Sequence, residues 1–173
     1  EELEVVSVTA NNLIEVVVEF NRAVDEDLAE DEDNYEIDGV TIDEANLQDD
    51  GNTVILTLDP TDFLENDKDY TLEISEDLVE AEIEFNAYDF TVPTAESIEL
   101  IGPDSFEIKF SEPISNAYGA VEVEIEDGVY SGTVTVNNTN AVKVEMGVSS
   151  LEEGEYKVVI SGAEDFAEYT APR

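Results

Sequence analysis

Apolar side chains in this chain recur at every second residue, in runs of five to eight. In Ile14-Glu15-Val16-Val17-Val18-Glu19-Phe20, one face carries Ile14, Val16, Val18 and Phe20, and the other carries Glu15, Val17 and Glu19. A period of two is that of a strand with one face buried, whereas a helix would need a period of 3.6. Val18-Glu19-Phe20 leads directly into Asn21-Arg22-Ala23-Val24-Asp25. About ninety positions later Phe106-Glu107-Ile108-Lys109-Phe110 repeats the pattern and leads into Ser111-Glu112-Pro113-Ile114-Ser115. The chain is therefore expected to be all-β and built from two similar units.

Further strands follow from the same alternation at Leu3 to Thr9, Thr53 to Leu58, Asp69 to Ile74 and Glu82 to Val92, the last interrupted near Asn86-Ala87. Tyr35 to Ile42 reads as a hairpin over Asp38-Gly39, a pair suited to the positive φ of such turns. Asp49-Asp50-Gly51-Asn52 reads as a second turn. Asp59-Pro60 resembles a helix start, with Asp59 as cap and Pro60 at the first helical position. Asp25 to Asn34 is too charged for a packed strand, so a loop or a solvated helical turn around Leu28 is expected. Past Val92-Pro93-Thr94-Ala95 the order recurs. Val121 to Ile125 and Tyr130 to Val136 form a hairpin over Asp127-Gly128, Asn140 to Met146 matches Asn52 to Leu58, and Glu155 to Ser161 matches Asp69 to Ser75. An ordered set of matches indicates internal duplication, with domains at 1–92 and 93–173. Six to eight short strands per unit suit two tandem Ig-like antiparallel β-sandwich domains.

Charge sets the second constraint. Of 173 residues, 46 are acidic and 6 basic, with no His, for a net charge of −40. Because 42% of residues are hydrophobic and fall in alternating runs, the acidity does not signal disorder. It does repel nucleic acid and anionic membranes and favours cations as partners. Residues 1–92 carry 30 acidic and 2 basic side chains, and residues 93–173 carry 16 and 4. Cations should matter most in the first unit.

Absences narrow the chemistry. With neither His nor Cys there is no Ser-His-Asp triad, no Cys nucleophile, no ordinary zinc site and no disulfide. No apolar run reaches the roughly 18–20 residues that span a bilayer. The start at Glu1-Glu2 reads as a mature segment or a fragment of something longer. A carboxylate pair for glycoside hydrolysis has no supporting aromatic platform, and at this composition some pair fits any spacing. No enzyme is expected.

Three acidic groups are candidate calcium ligands, since calcium takes six to eight oxygens, many of them carboxylate. The first is Asp25, Asp27, Asp31 and Asp33. It fails the EF-hand pattern, with Ala29 where a third ligand should stand and no Gly, and its bland reading is a solvated, self-repelling loop. The second is Asp49 and Asp50, which ordinary turn chemistry also explains. The third is Asp89 and Glu96 around the boundary, where surface acids also occur by chance. Phe20, Phe110, Tyr70 and Tyr156 take inward positions and read as core. Lys109, Lys143 and Lys157 take outward positions, which disfavours a buried Lys–carboxyl crosslink. Asn137-Asn138-Thr139 fits a glycosylation sequon.

Val18-Glu19-Phe20-Asn21-Arg22-Ala23-Val24-Asp25 and Ile108-Lys109-Phe110-Ser111-Glu112-Pro113-Ile114-Ser115 resemble the bacterial Ig-like repeats of S-layer and other cell-surface proteins. Asn34-Tyr35-Glu36-Ile37 and Leu64 with Tyr70, Leu72 and Ile74 fit the same repeat, as do Leu151, Tyr156, Val158 and Ile160. The second unit departs from it, lacking the Asn-Tyr phrase and carrying Asn116-Ala117-Tyr118-Gly119 in place of the acidic loop. The resemblance covers nearly the whole chain and implies a structural role at an extracellular surface, in an S-layer or cell wall. Its implied partners are neighbouring domains or copies of the same protein, and the charge adds divalent cations to them. Two other readings stay open: an adhesin or accessory module that binds a glycan or protein receptor, and acidity as an adaptation to high salt.

Overall fold

The computed structural model describes residues 2–117, 121–125, 128–147 and 152–172. Contacts divide the chain into two compact units, Glu1–Phe90 and Thr91–Arg173.

The first unit contains β1 (Val5–Thr9), β2 (Glu15–Phe20), a four-residue helix α1 (Glu26–Ala29), a 3-10 turn (Glu32–Asn34), β3 (Tyr35–Ile37), β4 (Ile42–Leu47), β5 (Thr53–Leu58), β6 (Lys68–Ile74) and β7 (Ala81–Ala87). They form a four-stranded sheet in the order β1-β2-β5-β4 and a three-stranded sheet in the order β3-β6-β7, with every strand pairing antiparallel. The alternation has its expected result. Val16, Val18 and Phe20 of β2 and Val54, Leu56 and Leu58 of β5 are buried almost completely, as are Ile37 and Leu72 of the smaller sheet. At roughly 1.5–3 kcal/mol for each buried aliphatic or aromatic side chain, these positions supply the main favourable term of the unit. Loop residues complete the core. Leu64 donates its amide to the Leu13 carbonyl at 3.1 Å, and both side chains are buried.

The second unit contains β8 (Ala95–Leu100), β9 (Ser105–Phe110), β10 (Asn116–Ala117), β11 (Val121–Ile125), β12 (Gly128–Val136), β13 (Ala141–Glu145), β14 (Lys157–Val159) and β15 (Ala163–Glu164). Six of them make an antiparallel sheet in the order β14-β11-β12-β13-β9-β8, and β10 pairs with β15. Phe106, Ile108, Phe110, Ile114, Val142, Val144 and Met146 form its core. Ile125 faces Gly128 across the β11–β12 hairpin, while Asp127, Tyr118-Gly119 and Leu151 lie outside the described residues. The all-β, antiparallel reading holds for every pair of strands among the described residues.

Four local expectations need correction. Tyr35 to Ile42 is a hairpin only at its tip, where Ile37 bridges Val40 across Asp38-Gly39. Gly39 does take φ +76°, but β3 pairs with β6 and β4 with β5, so the turn moves the chain from one sheet to the other. Asp59-Pro60 starts no helix. Asp59 caps only a single turn, through the Thr61 amide at 2.7 Å, and the Asp62 amide closes that turn on the Asp59 carbonyl at 2.9 Å. β7 runs unbroken through Asn86 and ends at Ala87, leaving Phe90 and Val92 outside it and exposed. Alternation in β1 holds from Leu3 to Ser7, with Glu4 and Val6 exposed, and fails only at Val8, which is half-buried beyond the register shift between Val5 and Ser7.

Candidate cation-binding carboxylates

The acidic run does fold into helical turns, and its carboxylates are used to cap them. Asp25 accepts from the Leu28 amide at 3.3 Å as N-cap of α1. Asp31 accepts from the Asp33 amide at 3.2 Å as cap of the 3-10 turn. Both acids also favour the positive end of the following turn. Asp25, Asp27, Asp31 and Asp33 are all exposed. Among the described residues, no three carboxylates of this run offer oxygens within 4.8 Å of one another.

Asp50 is committed to its own turn. Its carboxylate accepts from the Thr53 hydroxyl at 2.6 Å and from the amides of Thr53 and Asn52 at 2.9 and 3.1 Å. The Thr53 hydroxyl, followed by these amides, holds the carboxyl below the usual aspartate range. Asp49 beside it is exposed. Glu96 is exposed too, at the register shift where Ala95 and Ser97 of β8 pair with Phe110 and Lys109. Asp89 differs from these. It is buried, and its backbone is clamped by the Asn66 side chain, which donates to the Asp89 carbonyl at 2.9 Å and accepts from its amide at 3.0 Å.

The second unit brings together two buried carboxylates that the residue pattern did not single out. Glu112 is 7% exposed and Asp165 2%, and they offer oxygens within 4.8 Å of each other. Glu112 follows the core strand β9 and accepts from the Thr91 hydroxyl at 3.0 Å. Asp165 shapes the turn after β15, accepting from the amides of Ala167 and Tyr169 at 2.8 and 2.9 Å. The Ser115 hydroxyl anchors that turn by donating to the Asp165 carbonyl at 2.6 Å. Two like charges buried this close repel strongly unless a proton or cation offsets them. One sequence signal pointed here: Glu112 stands between the buried Phe110 and the buried Pro113-Ile114. Asp165 gave none.

This architecture is all-β and built from antiparallel strands. The chain is 33% identical over 174 residues to the surface-layer 125 kDa protein of Lysinibacillus sphaericus, a match that takes in 95% of this chain and 14% of that protein. It is also 33% identical over 178 residues to the outer cell wall protein of Brevibacillus brevis, across 97% of this chain and 16% of that one. A solved structure, the N-terminal part of the bacterial S-layer protein SbsC, aligns with 92% of this chain and 44% of its own at 18% identity and TM-score 0.46. No family model matches the chain. Both relatives are bacterial cell-surface proteins, and the likeness along nearly the whole chain indicates the same location, outside the cell. The chain spans about one seventh of their length.

Proposed function

We propose that this chain is a non-enzymatic structural module of a surface-layer polypeptide, assembled with neighbouring domains or copies of the same protein and stabilised by divalent cations. The observation that carries the structural role is 33% identity, along nearly the whole chain, to a surface-layer and an outer cell wall protein. The cation clause is supported by the net charge of −40 and by the buried Glu112–Asp165 pair. Calcium suits such a place, because a hard divalent ion takes carboxylate and hydroxyl oxygens and offsets two charges at once.

Thermal melts with millimolar calcium, against NaCl at matched ionic strength, test that clause. Calcium should stabilise the second unit beyond the salt control, and Glu112→Gln with Asp165→Asn should abolish the excess. Asn keeps the acceptor that the Ala167 and Tyr169 amides need. Equal melts in calcium and NaCl would sink the cation clause and leave the structural role standing.

A further inference from the structure

We propose that the second unit carries an open strand site, a groove between β8 and β14, which is filled by a β-strand of the same surface polypeptide from outside residues 1–173. The strand orders of the two units set the comparison. β1-β2-β5-β4 in the first corresponds to β8-β9-β13-β12 in the second, and Tyr70, Leu72 and Ile74 of β6 correspond to Tyr156, Val158 and Ile160 around β14.

In the first unit β7 pairs along the whole of β6 and reaches the end of β1, where Ala10 bridges to Ala87. Ala10 is 4% exposed, and Tyr70 and Leu72 are buried. In the second unit, among the described strands, β14 pairs with β11 alone and β8 with β9 alone. Leu100, at the place of Ala10, is 67% exposed, and Ile98 is 52% exposed. Both are on the core face, opposite Phe106 and Ile108. Tyr156 and Val158 are only half-buried. These residues line an apolar groove of about 570 Å³.

The groove is the place that β7 takes in the first unit. Residues 163–171 do not fill it, because they turn back on themselves. Glu164 bridges Thr170, and the Ala171 amide donates to the Ala163 carbonyl at 2.7 Å. An exposed edge beside an apolar face is a template for strand addition. The strand that fits presents small and apolar side chains at alternate positions, as Ala81, Ile83, Phe85 and Ala87 do in β7. The relatives provide a source within one polypeptide, since each is about six to seven times the length of the matched region.

Because the chain has no Cys, Leu100→Cys introduces a single reporter, and Ile98→Cys gives a second should the first fail to fold. Maleimide labelling is compared in the isolated 173-residue chain, in the native surface protein dispersed as monomer, and in the same protein assembled. The thiol should react freely in the isolated chain and about tenfold or more slowly in the dispersed monomer. Equal rates in those two states overturn the proposal. Protection that appears only on assembly also overturns it, by assigning the groove to a second copy.

Discussion

The Ser75 hydroxyl donates to the side-chain oxygen of Asn34 at 2.5 Å, and the Ser75 amide donates to the Asn34 carbonyl at 3.0 Å. The end of β6 is thereby fastened to the end of the acidic run. Asn34 is buried, and its amide nitrogen also donates to the Leu28 carbonyl at 2.9 Å, closing the turn after α1. One polar side chain thus organises a segment whose net charge opposes compaction. Asn34→Ala should destabilise the first unit by about 1–3 kcal/mol, the cost of leaving buried polar groups unmatched. Urea unfolding should show the shift in signals from the first unit alone.

Tyr35, next in the chain, donates its hydroxyl to the Ala29 carbonyl at 2.9 Å, and burial pushes its phenol pKa well upward. Tyr35→Phe keeps the ring and removes the donor beside the fully buried Ala29. A loss of about 1 kcal/mol is expected. The phenol of the parent chain should stay un-ionised in spectroscopic titration at pH values where exposed tyrosines have lost their proton.

In the second unit a Cβ at Gly132 would stand 2.6 Å from Val144 Cγ1 and 2.9 Å from Met146 Sδ. Both neighbours are buried, so neither yields cheaply. Gly132→Ala should cost about 1–3 kcal/mol through overpacking. Gly39→Ala meets no atom within 4 Å, yet its φ of +76° disfavours any Cβ, and it should cost about 1 kcal/mol. Paired melts separate the two causes, because Val144→Ala should relieve the first variant and leave the second unchanged.

Asp50 supplies a pH test. Its carboxyl is held low chiefly by the Thr53 hydroxyl, so the native state binds a proton there less readily than the unfolded chain does. Its contribution to stability is present above the unfolded value, about 3.9. It is lost as pH falls through the lower native value. The Asp50 carboxyl should titrate below ordinary aspartates by carbon NMR, and Thr53→Val should move the midpoint upward while leaving the strand intact.

Self-repulsion from a net charge of −40 should make stability rise with monovalent salt. Screening between roughly 10 mM and 0.5 M NaCl shortens the Debye length from about 30 Å to under 8 Å. A gain of about 1 kcal/mol, or roughly 4–8 °C for a unit of this size, is expected. A flat melting temperature over that range would show that the charges are already compensated within the fold.

The sequence by itself determined the alternating strands, β2, β5, β6, β9 and β13 among them, and which face each buries. The reason is local: a period of two leaves β2, β5 and β9 only one way to bury their apolar side chains. It also determined that the Asp25–Asn34 run leaves the sheet, because a strand there would stack like charges. The choice of partner for each strand belonged to the tertiary structure. Tyr35–Ile37 was legible as a strand and Ile42–Leu47 was not beyond its first residue, and that the two join different sheets depends on β6 and β5 arriving from far along the chain. Asp25, Asp31 and Asp50 were legible as loop acids, but whether they point at one another or at their own backbone amides is set by turn geometry. Asp165 is unremarkable in a chain with 46 acids, and Glu112 is marked only by its apolar neighbours Phe110, Pro113 and Ile114. Only folding places the two acids together out of water, where the same charges that are cheap on the surface become costly.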